Sequence, residues 1–372
     1  MFAQSLPDDE LLYFIALTMV PSVGDVHARE LLMRFQSAKT IFHTRLHHLE
    51  KTPGIGKLRA RRIKSFRDFN RAELELRFAN KYHIHAITIN DEAYPVRLKN
   101  CYDAPILLYF RGNGNLNVPR VINVIGTRSN SDYGKDIVRK FLEELMSYKV
   151  LVVSGLAYGI DALAHKTALK LGLETVGVLA HGLDRIYPPA HRALAMEIVE
   201  QGGLLTDFMS GDEPDKQNFP KRNRIVAGMT DATIVVETGI KGGSMITAEL
   251  ANGYNKDVFA FPGRVNDAKS EGCHHLIRTN KAALITCAKD LVDAMNWEER
   301  KSVSKIQTRL FPELSADEKV IIKILTQKET VHIDEIHAQS NLKSSAVAAA
   351  ILNLELQGLI NGMPGKMYKL IG

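Results

Sequence analysis

Apolar positions in the first eighty residues recur three and four apart. Leu11, Leu12, Ile15 and Met19 form one such stripe, and Leu31, Leu32 and Phe35 another. That is the spacing of helices that bury one face. Strand-like alternation is absent over 8–81, so this zone is predicted to be helical. From about His83 to Asn296 the pattern changes to short β-branched runs separated by helical stretches. The runs are VINVI (121–125), VLVV (150–153), TVGVL (175–179), ATIVV (232–236), DVFAF (257–261) and ALIT (283–286). Each is almost continuously apolar, as strands buried on both faces of a parallel sheet should be. Repeated strand–helix–strand units predict a doubly wound α/β domain with a mainly parallel sheet.

The pattern changes again after residue 296. Residues 297–314 are polar, contain Pro312 and read as a linker. Ser315, with Glu318 three residues on, is a capping box that opens a helix over 316–326. A second helix is predicted over 332–339 and a third over 343–357, with Val347, Ile351 and Leu354 on one face and Gly358 ending it. The tail LINGMPGKMYKL reads as two short strands around Gly362, Pro364 and Gly365. Three helices and a wing make a winged helix. The predicted division is therefore 1–82 helical, 83–296 α/β, 297–314 linker and 315–372 winged helix.

Composition narrows the class without choosing a function. Hydrophobic residues make up 45% and charged residues 24% of the 372 positions, the balance of a globular protein. No apolar run reaches the ~18 residues of a membrane span, and the run at 11–20 follows Asp8, Asp9 and Glu10 rather than positive charge. A cytoplasmic protein with no membrane partner is expected. Cys101, Cys273 and Cys287 are too few and too scattered for a disulfide framework or a zinc site. His43, His47 and His48, and the adjacent His274 and His275, lack the carboxylates of a metal site. Charge is more informative: residues 1–89 hold 14 Lys and Arg against 9 Asp and Glu, whereas the rest hold 34 against 33. The basic excess sits at the N-terminus, where a nucleic-acid role is worth testing.

In an open parallel sheet, ligands gather beyond the carboxyl ends of the strands. After VINVI comes Gly126-Thr127-Arg128-Ser129-Asn130, a turn beside a helix start that suits a phosphate. After VLVV comes Ser154-Gly155-Leu156-Ala157-Tyr158-Gly159. After TVGVL comes Ala180-His181-Gly182, and after ATIVV comes a turn containing Gly242-Gly243-Ser244. Four such strand ends together point to a phosphate-rich ligand. The chain has no GxxxxGK[ST], and no GxGxxG follows a strand, which excludes a P-loop ATPase and a dinucleotide oxidoreductase.

A second dense feature runs from Lys216 to Ile225. Lys216, Lys221, Arg222 and Arg224 surround Phe219, Pro220 and Asn223. Pro220 suits the first turn of a helix, on which Lys221 and Arg224 share a face. An aromatic among cations combines base stacking with phosphate neutralisation on a single strand. In the N-terminal zone, Val20-Pro21-Ser22-Val23-Gly24 and Thr52-Pro53-Gly54-Ile55-Gly56-Lys57 lie between helical stretches. The second has the turn chemistry of a helix–hairpin–helix or SAM-like domain, with Arg59, Arg61, Arg62 and Lys64 following. It either offers backbone N–H groups to a DNA phosphate or serves only as a packing device.

The central zone resembles the DprA (Smf) family of DNA-processing proteins. The matching segments are VIGTRSNSDYG (124–134), VVSGLAYGIDALAH (152–165), VLAHGLDRIYPP (178–189), NFPKRNRIVAG (218–228), GGSMITAELA (242–251) and VFAFPG (258–263). The N-terminal hairpins and C-terminal winged helix look like the family's accessory domains. The resemblance implies an extended Rossmann domain that binds single-stranded DNA without sequence readout, protects incoming DNA in natural transformation and helps load RecA. It implies phosphate binding by Gly126, Thr127 and Arg128, with Lys216, Phe219, Arg222 and Arg224 as the basic-aromatic segment. It also implies a homodimer through the Rossmann domain and no cofactor. Thr206-Asp207 and Gly242-Gly243-Ser244 stand where the family commonly has Ser-Glu and Ser-Gly-Ser, changes expected to tune locally.

The reading is thus a DNA-binding protein rather than an enzyme. Its site residues are Gly126, Thr127, Arg128, Ser154, Gly155, Lys216, Phe219, Lys221, Arg222, Asn223, Arg224, Gly243 and Ser244. The alternative is a nucleotide-acting enzyme, since Gly242-Gly243-Ser244 with Thr247 and Glu249 is similar to a phosphoribohydrolase loop. A sequence-specific regulator is disfavoured because Lys343 is the only cation over 343–357.

Overall fold

The computed structural model describes residues 7–297, 314–328, 330–363 and 365–370. Six helices come first: α1 Asp8–Met19, α2 Asp25–Phe35, α3 Ala38–His43, α4 Leu46–Glu50, α5 Gly56–Ser65 and α6 Phe69–Lys81. Three acidic residues open α1, where the helix dipole favours them. Glu10 reaches across to accept from the Ser37 hydroxyl (3.0 Å) and the Ala38 N–H (2.5 Å) at the start of α3. Of the predicted stripe, Leu11 and Ile15 are buried and Leu12 and Met19 are half-buried, while Phe14, Ala16 and Leu17 are buried as well. The cause is its central place: α1 packs against α3 and α6 together, which leaves little of it facing water.

The sheet segment follows as β1 His85–Thr88, α7 Val96–Lys99, β2 Leu107–Gly112, β3 Val121–Ile125, α8 Asp132–Glu144, β4 Leu151–Ser154, α9 Ile160–Lys170 and β5 Thr175–Val178. It continues through α10 Arg192–Glu200, β6 Gly202–Thr206, α11 Asn218–Gly228, β7 Ala232–Val235, α12 Gly243–Gly253, β8 Asp257–Ala260, α13 Glu271–Arg278, β9 Ala283–Leu284 and α14 Ala288–Ala294. The nine strands lie in the order β1-β2-β6-β5-β4-β3-β7-β8-β9, antiparallel at β1/β2 and β2/β6 and parallel elsewhere. All six predicted runs are strands. β1, β2 and β6 are further strands: β2 lies in the buried apolar run ILLYF (106–110), which has little β-branching, and β1 and β6 carry no comparable run. β6 begins Gly202-Gly203, the opposite of a strand signal. A Cβ on Gly203 would lie 2.3 Å from the Phe110 ring, so the bare backbone is what lets β6 pair beside β2.

From β3 the chain builds outward to β6, then returns to place β7 on the other side of β3. The strand order therefore reverses between β3 and β7, and a crevice opens at their carboxyl ends. One core joins the helical layer to one sheet face, from Leu11 and Phe14 to Tyr94, Phe110 and Ile225. The other face is covered by α8, α9 and α14 through residues such as Val138, Phe141 and Leu291. Residues 7–297 thus form one compact unit, although the change from helices to strands falls between Lys81 and His85. The predicted linker lies outside the described residues except at its ends, 297 and 314.

The C-terminal unit has its own core of Ile321, Ile336, Val347, Ile351 and Leu354. Its elements are α15 Ala316–Leu325, β10 Val331–His332, α16 Ile333–Ser340, α17 Ser344–Leu356, β11 Ile360–Met363 and β12 Met367–Leu370. The Ser315–Glu318 capping box is formed, and Gly358 follows α17 with a left-handed φ of 70°. Beyond the two predicted wing strands, β10 pairs with β12 to complete a three-stranded sheet. Among the described residues, no helix is long and apolar enough to cross a membrane.

Candidate nucleic-acid interface

The crevice at the β3/β7 reversal encloses about 780 Å³. Its first wall is the turn after β3. The Thr127 N–H donates to the Glu237 carbonyl (2.5 Å), and the Ile160 N–H donates to the Thr127 carbonyl (3.1 Å). Gly159 has φ 79°, and a Cβ there would lie 2.1 Å from the Thr127 oxygen, so only glycine allows this approach. The buried Glu237 carboxylate accepts the Ser131 N–H (2.9 Å) and the Ser131 hydroxyl, fixing the start of α8. The turn is thereby held with Arg128 exposed at the crevice mouth.

Across the mouth lies the first turn of α11. The Arg128 guanidinium sits 5.7 Å from the Phe219 ring centre, a cation–π distance. Tyr187 lies 6.1 Å from the same ring, tilted by 52°. Phe219 is half-buried and Lys216 is exposed. The mouth thus combines two solvent-facing cations with two rings, while Gly243 and Ser244 at the start of α12 form the opposite wall.

The base of the crevice is charged and almost fully buried. Arg222 is only 5% exposed and donates from Nη1 to the Val178 carbonyl (2.5 Å), while its Nε has no hydrogen-bond partner. Gly155 lies against this guanidinium, and a Cβ there would fall 2.1 Å from Nη1. The Gly155 N–H donates to the buried Asp161 carboxylate (3.1 Å). Burial lowers the Arg222 pKa to about 10 against the pull of Asp161, and burial raises that of Asp161 against the pull of Arg222. Behind them, His165 Nδ1 donates to Thr175 Oγ1 (2.7 Å), whose own hydroxyl donates to the Val152 carbonyl. Burial, with the charge of Arg222 second, lowers the His165 pKa to about 3. The crevice walls therefore carry Arg128, Lys216 and Arg222 against Asp161 alone.

Ten of the thirteen sequence-derived site residues line this crevice: Gly126, Thr127, Arg128, Gly155, Lys216, Phe219, Arg222, Asn223, Gly243 and Ser244. Three do not. Ser154 is fully buried and donates to the Val124 carbonyl (2.7 Å), tying β4 to β3. Lys221 is exposed but off the wall. Arg224 faces the helical layer, where Nη2 bridges Asp25 (2.8 Å) and Asp207 (2.7 Å) and Nη1 donates to the Asp103 carbonyl. The shared face predicted for Lys221 and Arg224 is divided by this pairing. Asp161, Tyr187 and Thr238 also line the crevice but are not among the thirteen site residues. Asp161 had a signal as an acid two residues after Gly159 in a helix start, and Tyr187 as an aromatic before two prolines.

The residues of the phosphoribohydrolase-like loop are engaged elsewhere in the fold. The Ser244 hydroxyl donates to Thr238 Oγ1 (2.6 Å). Glu249 pairs with Lys281 (2.6 Å) and is not on the crevice wall, so the phosphoribohydrolase-like grouping is not assembled. Among the described residues, no group of three or more His, Cys, Asp or Glu side chains could hold a metal ion.

Comparisons with known proteins bear on the family and the fold. The family model for DNA recombination-mediator protein A matches residues 85–296, and that for the DprA winged helix domain matches residues 307–366. The chain is 30% identical to protein Smf of Synechocystis sp. over 98% of this chain and 100% of the relative. The crystal structure of DNA processing protein A from Streptococcus pneumoniae superposes with a TM-score of 0.66 at 32% identity, covering 77% of this chain and 98% of that one. The Helicobacter pylori counterpart, studied for its single-stranded DNA binding mode, superposes with a TM-score of 0.53 at 29% identity, covering 58% of this chain and 96% of that one.

Proposed function

The chain belongs to the DNA recombination-mediator protein A family, and from that premise we propose that it binds single-stranded DNA, without sequence preference, in the crevice between β3 and β7. One observation carries the reading. At the crevice mouth the Phe219 ring has both Arg128 and Tyr187 within about 6 Å, and Lys216 is exposed on the same crevice. Rings beside uncompensated cations suit an unpaired strand, whose bases stack while its phosphates are neutralised. The almost fully buried Arg222 adds positive potential beneath the phosphates. The Helicobacter pylori counterpart, with its single-stranded DNA binding mode, supports the same assignment.

The role we propose for the bound strand is protection of incoming DNA and delivery to RecA recombinase, by a homodimer assembled through the Rossmann domain. Membership of the family supports these steps, and the work would take place in the cytoplasm, beside the chromosome. We propose binding rather than catalysis, because the crevice serine Ser244 is tied to Thr238, Ser154 is buried behind the wall and bonded to Val124, and Glu249 is tied to Lys281.

The test is fluorescence anisotropy of a labelled strand of ~30 nucleotides across a salt series. Arg128 and Lys216 are exposed on the crevice and Lys221 is exposed beside it, so engagement of these three cations gives a log–log slope of about −2, at roughly −0.7 per phosphate. A wild-type protein that ignores the strand, or whose binding is insensitive to salt, would overturn the reading.

A further inference from the structure

The crevice does not absorb the N-terminal basic excess. Residues 51–67 hold seven Lys and Arg and no Asp or Glu. Among the described residues, none of the seven forms an ion pair. On the next helix, by contrast, Arg71 and Arg77 are paired with Glu75 and Glu73. The hydrogen bonds of Arg59 and Arg62 go to neutral groups. Arg59 donates to the Ser22 carbonyl (2.9 Å) and the Gly54 carbonyl (3.0 Å), and Arg62 donates to the Ser22 hydroxyl. These bonds fasten the two Gly-containing turns, 20–24 and 52–56, to each other and leave the positive charge uncompensated. Lys57 and Arg61, one helical turn apart on α5, are exposed, as is Lys51.

We propose that α5 and the turn before it form a second nucleic-acid surface, which grips the phosphate backbone of duplex DNA. The choice of duplex rests on what the ridge lacks. Phe66, the aromatic of the segment, is partly buried against Phe42 and Phe69 and offers no stacking platform. A surface of cations without rings gains nothing from unpaired bases and reads phosphates alone. A duplex offers those phosphates at twice the linear density of one strand. The two surfaces together would suit a DNA that is part single strand and part duplex.

The test uses the full chain, a blunt 30-base-pair duplex, and the variant Lys51→Ala with Lys57→Ala and Arg61→Ala. None of these side chains makes a described hydrogen bond, so an unchanged melting temperature checks the fold. The variant should bind duplex at least tenfold more weakly, and its salt slope should flatten by about 2.7, at roughly 0.9 per phosphate. Its single-strand affinity should stay within twofold of wild type. The charge-keeping set Lys51→Arg, Lys57→Arg and Arg61→Lys should bind duplex as wild type does. Duplex binding that survives the alanines, or that is lost with the charge-keeping set, would overturn the proposal. So would parallel loss of single-strand and duplex binding, which would mean one shared surface. A wild-type protein that ignores blunt duplex would also overturn it, while leaving the crevice reading intact.

Discussion

Two segments of the chain are crowded with cations, and the fold treats them differently. Along α11, Arg222 is sunk into the base of the crevice and Arg224 is clamped by Asp25 and Asp207. Only Lys216 and Lys221 of that segment remain in water. Along α5, no cation has a described carboxylate partner, and the hydrogen bonds of Arg59 and Arg62 end on neutral acceptors. The same residue types therefore do two jobs. In α11 buried cations set a local potential and join layers, and the free ones stand beside Phe219. In α5 the charge is left for something outside the chain. Counting cations in a sequence measures total charge, whereas binding depends on the charge left unpaired after folding.

Substitutions can break that comparison, beginning with the largest effect. Arg224→Ala would leave Asp25 and the largely buried Asp207, 12% exposed at its side chain, without their shared cation. A loss of about 4 kcal/mol is expected in urea unfolding, and an effect on DNA binding but not on stability would mean that Arg224 is free after all. Arg128→Ala with Lys216→Ala should do the reverse. Two charged contacts at about 1.5 kcal/mol each correspond to roughly 100-fold weaker single-strand binding, with melting temperature nearly unchanged and duplex binding retained. Wild-type affinity of this double variant for the strand would remove the crevice as the site.

Smaller effects sharpen the contrast. His165 has a pKa near 3 in the folded protein against 6.5 in the free side chain, so the unfolded chain takes up the proton first. The stability tied to its neutral form is complete above pH 6.5 and is lost as pH falls toward 3, about 2 kcal/mol of it by pH 5. Burial pushes the carboxyls of Asp161 and Asp207 in the opposite sense, which opposes this loss. The difference between wild type and His165→Gln in thermal melts at pH 7 and pH 5 isolates the imidazole. Phe219→Ala should weaken single-strand binding by about tenfold, within the ~1–3 kcal/mol of one stacked base, and Phe219→Trp should restore it. An equal loss on duplex would show that the ring only supports the fold. Glu249→Ala, at the exposed end of the comparison, should change neither binding nor stability measurably.

Much of this protein was legible along the chain because its signals are local. The helical N-terminus, six of nine strands and the winged helix follow from periods of three to four residues, continuous apolar runs and caps. The crevice was legible as well, since strand ends carrying glycine and hydroxyl residues mark a sheet's ligand edge wherever the strands are parallel. What escaped depends on pairs distant in sequence. β6 is a strand because its two glycines fit against Thr175 and Phe110. Arg224 is structural because Asp25, 199 residues away, meets it in the fold. Sequence alone set which elements form and how many charges the chain carries, through side-chain shape and hydropathy. Tertiary structure decided which charges are cancelled, because compensation falls off over a few ångströms in space and is indifferent to separation along the chain.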